Sequence, residues 1–200
     1  SFNFNDLFIN HTDLKRGVKQ NAIKEMPALP GTEKELKTIA GEFSNNNNKL
    51  LLRDEANEKN VKNLDLTNTK YVVFSSHAIV AGEMRGIDQP GIILTPPDNV
   101  SDNNDGLLTA NEISSLEMNA ELVVLSACNT GSGNTNSMEG LTGLAKSFFI
   151  AGNRELLVSN WRVTDKYAAE LTTMMFKYLN ENNKLTKAEA LQLSIKNLIN

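Results

Sequence analysis

Two hundred residues and 22.0 kDa fit one domain of ordinary size. A composition that is 40% hydrophobic and 22% charged, with a mean hydropathy of −0.32, argues against a disordered chain, and no apolar run approaches the roughly 20 residues of a membrane-spanning helix. Twenty Lys+Arg against 24 Asp+Glu leave a net charge of −4 and no basic block that would track phosphates, so nucleic acid and membrane are not expected as direct partners.

Residues 1–28 read as a polar N-terminal segment or linker, with His11 exposed among polar neighbours and no signal-peptide pattern. From Pro30 onward apolar periods alternate between strand and helix. Thr32 with Glu35 predicts a capping box ahead of Leu36, Ile39, Ala40 and Phe43, which share one helical face. Lys49–Arg53 predicts a short strand and Glu55–Leu64 a polar helix. Tyr71–Ser76 reads as a buried strand because its β-branched and aromatic residues run without polar alternation. Gly91–Thr95 is a short strand stopped by Pro96 and Pro97, and Thr109 with Glu112 caps a short helix. Glu121–Ala127 is a second apolar strand. Leu141, Leu144, Ala145, Phe148 and Phe149 form a helical stripe that ends at Gly152, and Leu156–Trp161 is a third buried strand. Thr164–Leu179 and Thr186–Ile199 close the chain as helices, the second opened by a Thr186/Glu189 box.

Strands alternating with helices predict an α/β fold whose mostly parallel sheet is covered on both faces, with ligands at the carboxyl ends of the strands. His77 follows one predicted strand and Cys128 follows another, which brings the single cysteine and one of two histidines to the same rim. A thiol with a pKa near 8.5 is a weak nucleophile at neutral pH until a basic or cationic neighbour favours the thiolate, and histidine both does this and protonates a leaving amine. Asn129–Gly133 is a small-residue turn whose amides suit an oxyanion. The competing reading is a cysteine that only fills core space. One cysteine and two histidines exclude a disulfide framework and a multi-ligand zinc site, so no metal or cofactor is expected. Ser101, Asn103, Asp105, Gly106 and Glu112 echo a calcium-loop spacing, but Ser101 replaces the usual Asp and the prolines before it forbid an entering helix, so a polar loop is the reading preferred.

Leu125–Gly131 (LSACNTG), Met138–Leu144 (MEGLTGL), Phe149–Gly152 (FIAG), Ser159–Asp165 (SNWRVTD) and Lys187–Leu191 (KAEAL) together resemble the CHAT domain family of caspase-like and separase-like cysteine peptidases. Leu29–Glu33 (LPGTE) and Asp105–Ile113 (DGLLTANEI) are similar to its earlier blocks, so the likeness runs from residue 29 to 200. The composition and single cysteine lead us to expect a soluble, cytoplasmic protein, and the resemblance implies the caspase/hemoglobinase fold and a catalytic His77/Cys128 dyad that hydrolyses a peptide bond in a protein substrate. It also implies an oxyanion site from the backbone N–H groups of Ala78 and Cys128, and TPR repeats or a regulatory partner, in a chain cut from a longer protein. Ala78 stands where the family usually has Gly; it keeps the N–H but resists positive φ. Substrate contacts are expected from Ser126 as a neutral pocket floor and Trp161 as a wall. Arg162 is expected to reach backbone carbonyls, and Asp165 to recognise a basic residue before the scissile bond, although at a helix start its charge has a local explanation as well. The polar Ser132–Ser137 loop suggests that the isolated domain needs ordering by a partner. The alternative is a catalytically silent caspase-like interaction module.

Overall fold

The computed structural model describes residues 21–199 except 28, 44–47, 85, 98–100, 102, 127–134 and 160–162, with backbone only for 135–139 and 165. A helical turn at residues 21–24 leads to α1 (Thr32–Glu42), a 3-10 turn (Arg53–Glu55), α2 (Glu58–Lys62), β1 (Tyr71–Phe74), β2 (Ala78–Ile79), β3 (Gly91–Ile93) and β4 (Leu107–Thr109). There follow α3 (Ala110–Ser114), β5 (Leu122–Leu125), α4 (Thr135–Ile150), β6 (Leu156–Val158), α5 (Asp165–Glu181) and α6 (Lys187–Ile199).

Among the described residues the strands form two three-stranded sheets, a parallel one in the order β1-β5-β6 and an antiparallel one in the order β2-β3-β4. In the parallel sheet β5 is central and buried along its whole length, as its run of Leu and Val requires. Val123 and Leu125 face one core with Phe74, Leu144 and Phe148, while Leu122 and Val124 face the other with Ile39, Met175, Phe176 and Ala190. Each such apolar side chain removed from water contributes about 1.5–3 kcal/mol. Phe176 of α5 meets the rings of Phe43 and Tyr71 edge-on at 5.9 and 5.4 Å, which locks α1 and α5 over the same face of β1.

Several expectations need correction. The sheet is not mostly parallel across all strands, because Gly91–Thr95 supplies β3 to the antiparallel sheet. The described residues between 80 and 90 carry no helix, and the chain returns beside β2 in the opposite direction. Lys49–Arg53 forms no strand; Leu50–Leu52 instead line a cavity of about 1340 Å³ along the outer edge of β1, and the Leu52 carbonyl accepts from Glu55 N–H at 3.0 Å in the 3-10 turn that follows. Leu156–Val158 is an edge strand and only half-buried. The Thr32/Glu35 box does not form: Gly31 holds the N-cap position, Thr32 Oγ1 donates to the Leu29 carbonyl at 2.9 Å, and Glu35 is buried.

The other boxes are present. Thr109 and Glu112 cap α3 reciprocally, and Thr186 and Glu189 do the same at the start of α6. Gly152 ends α4 at φ 102, and a Cβ there would lie 2.2 Å from the Met118 carbonyl oxygen, so only glycine fits. No helix among the described residues is long and apolar enough to cross a membrane.

Candidate active site

His77 stands where the two sheets meet. β1 runs out at Phe74, Ser76 donates its hydroxyl to the Ile93 carbonyl, and Ile93 N–H donates to the His77 carbonyl at 2.8 Å, so the backbone on both sides of the histidine is fixed by β3. The ring is 8% exposed, and its Nε2 lies 2.8 Å from the Pro27 carbonyl oxygen. A carbonyl only accepts, so Nε2 carries the proton and the neutral imidazole keeps Nδ1 as its bare, basic nitrogen.

Ala78 opens β2 opposite Ile92, in a pair flanked by the Ile93-to-His77 hydrogen bond. That register turns the Ala78 N–H away from β3. Among the described residues Arg53 is the non-glycine with positive φ, so Ala78 adopts ordinary extended backbone. Its replacement of the family glycine therefore costs this turn nothing.

Parallel pairing holds β1 against β5 in a constant register, Tyr71 with Leu122 through Phe74 with Leu125. Ser126 N–H continues the ladder to the Phe74 carbonyl at 2.9 Å. Alternation along the strands puts Ser75 and Ser126 on the α1/α5 face with Tyr71, Val73, Leu122 and Val124. There both hydroxyls donate to the carboxylate of Glu35, which is 3% exposed, and Thr172 of α5 donates to it as well. Ser126, expected as a pocket floor, thus has its hydroxyl engaged by the buried Glu35 carboxyl group. Cys128, Trp161 and Arg162 lie outside the described residues, as do Asn129–Gly133, and Asp165 is described by its backbone as the first residue of α5.

Sequence reasoning missed two participants. The Pro27 carbonyl is backbone and leaves no side-chain signal. Glu35 had one: it lies four residues before the buried Ile39, on the face that α1 turns inward, whereas its spacing from Thr32 suggested a cap.

The loop with calcium-like spacing is organised by a lysine. Lys62 Nζ donates to the Asn103 carbonyl at 2.6 Å and pairs with Glu58 and Glu112, each at 2.8 Å. Asp105 and Gly106 N–H groups donate to Glu58 at 2.6 and 2.7 Å. Burial works to lower the Lys62 pKa, but the bonds from Glu112 and Glu58 outweigh it and hold the ammonium above its ordinary value. Among the described residues no cluster of three or more His, Cys, Asp or Glu is arranged to hold a metal.

The model of the CHAT domain family matches residues 5–200. No curated protein and no solved structure matches the chain.

Proposed function

The chain belongs to the CHAT domain family, and from that membership we propose that it is a caspase-like cysteine endopeptidase working through a His77/Cys128 dyad. The observation that carries this reading is the register of β1 on β5. Tyr71 pairs with Leu122 and Phe74 with Leu125, an offset of 122 − 71 = 51, and 128 − 77 is also 51. The same offset, continued three residues past the paired strands, would set Cys128 opposite His77 on the same face of the sheet rim. The Ser126 bond to Phe74 and the shared grip of Glu35 on Ser75 and Ser126 indicate that the strands keep this alignment beyond Phe74 and Leu125.

With Nε2 held by Pro27, Nδ1 of His77 takes the thiol proton of Cys128. The thiolate attacks the scissile carbonyl carbon, forming an S–C bond, and the developing oxyanion takes N–H bonds from Ala78 and Cys128. The imidazolium then protonates the amine as the C–N bond breaks. Water, deprotonated by the same Nδ1, hydrolyses the thioester and restores the thiol. A basic side chain before the scissile bond is recognised by Asp165 at the start of α5, with Arg162 on substrate carbonyls. A regulatory partner raises the activity.

Cys128→Ala tests the reading. It removes the nucleophile and a single sulfur, so peptide hydrolysis is expected to vanish while the circular dichroism spectrum stays unchanged. Turnover equal to wild type would transfer the protein to the silent interaction module.

A further inference from the structure

Ser75 stands two residues before His77, and Ser126 two residues before Cys128. Both serines donate to one buried carboxylate, Glu35, whose third hydroxyl partner is Thr172 of α5. The partners Glu35 has among the described residues are thus hydroxyls from three separate elements. All three hydroxyls converge on the Glu35 carboxyl group, and Thr172 Oγ1 also lies 3.0 Å from the Ala168 carbonyl oxygen, so that hydroxyl is shared between Glu35 and its own helix. Burying a carboxylate among neutral partners is a poor way to gain stability, because an apolar residue of similar volume does so without desolvating a charge. What the carboxylate supplies is geometry: its oxygens are a fixed distance apart, one held by β1 and the other by β5 and α5.

The same stretch of chain reaches the rim a second time. Pro27, eight residues before Glu35, holds Nε2 of His77 through its carbonyl. One end of the stretch sets the ring's tautomer, and the other sets the spacing of the two strand ends that precede the dyad.

We propose that Glu35 is a positioning residue of the peptidase site, a clamp that holds the ends of β1 and β5 so that His77 Nδ1 meets the Cys128 sulfur. The assignment rests on the dyad reading given above. Its consequence is that loss of the carboxylate lets the two strand ends part without dismantling the core, since the apolar contacts of Ile39, Val124 and Phe176 below it remain. A displacement of about 1 Å between reacting groups costs on the order of a hundredfold in rate.

The test is alkylation of Cys128, the single cysteine, by iodoacetamide as a function of pH. Wild type, His77→Ala, Glu35→Gln, Ser75→Ala and Ser126→Ala are compared, with thermal unfolding measured on each. In wild type the rate is expected to rise well below pH ~8.5, the ordinary thiol range. In Glu35→Gln it should fall at least about tenfold at pH 7, and its midpoint should move towards that of His77→Ala. A role in stability alone would lower the melting temperature and leave the midpoint unmoved. Should Glu35→Gln fail to fold, the two serine variants, each losing one bond, carry the same readout. A wild-type profile in every folded variant except His77→Ala overturns the clamp and leaves the dyad standing. A wild-type profile identical to that of His77→Ala removes the dyad reading and the clamp with it.

Discussion

Replacing Lys62 by Met isolates the energetics of the loop that carries β4 and α3. Glu58 is 0% exposed, and its carboxylate is satisfied by two backbone N–H groups and the Lys62 ammonium. Without Lys62 the carboxylate stays buried with no cation beside it. Removing one partner of a fully buried pair costs about 3–5 kcal/mol; the Lys62 side chain keeps 25% of its exposure, so the expected loss is at the lower end or below, about 2–3 kcal/mol. At about 2–4 °C per kcal/mol for this chain length, the melting temperature should drop by about 4–12 °C. The loss also depends on pH. Burial pushes the Glu112 carboxyl up, but the hydrogen bond from Lys62 and those from Thr109 outweigh it and hold the group below its ordinary 4.5. A depressed carboxyl stabilises the fold above its unfolded pKa, and that stability is lost as pH falls through the folded value. The gap between wild type and Lys62→Met should therefore be widest at pH 7 and narrow as pH falls below about 4.5 and Glu112 takes up its proton. Urea unfolding followed by circular dichroism at pH 7 and pH 4 measures both. A loss under about 0.5 kcal/mol at pH 7, or one unchanged at pH 4, would refute the reasoning.

Gly152→Ala should destabilise by at least about 2 kcal/mol in the same assay, because it combines a positive φ with a clash on the Met118 carbonyl; a loss under about 1 kcal/mol contradicts that geometry. His77→Cys, oxidised mildly, should form a disulfide with Cys128 under the register proposed above, which would put the two about 4.8 Å apart, within the Cα range of disulfides. Mass spectrometry of the non-reduced protein reads it out, and a free pair of thiols speaks against the register. In a positional-scanning peptide library, Arg or Lys is expected before the cleaved bond and the preference should weaken in Asp165→Asn; a preference for Asp would implicate Arg162 instead.

Much of this arrangement was legible in the residues because it depends on local pattern. The continuous apolar runs of β1 and β5 were visible, as were two capping boxes and the glycine at the end of α4. Where the reading failed, tertiary packing overrode a local signal. Thr32-x-x-Glu35 has the spacing of a cap, yet burial of the α1 face against β1 and β5 turned the carboxylate inward to three hydroxyls. Lys49–Arg53 has the apolar content of a strand but no neighbour to pair with across the cavity beside β1. The antiparallel sheet goes with the lack of a helix among the described residues between β2 and β3, a negative signal that is easy to pass over. Lys62 gathers Asn103, Glu58 and Glu112 from positions up to 50 residues away from it, which no linear spacing announces.

The central claim is that His77 activates Cys128 for attack on a peptide carbonyl. Its most direct test is the rate at which a peptidyl acyloxymethyl ketone with Arg at the leading position alkylates Cys128 at pH 7, the thiolate displacing the carboxylate leaving group, in wild type and in His77→Ala. Intact-protein mass spectrometry counts one adduct on the single cysteine. Removing the base should slow the reaction by about 10²–10⁴-fold while the folded state persists. Equal rates in the two proteins would contradict the account.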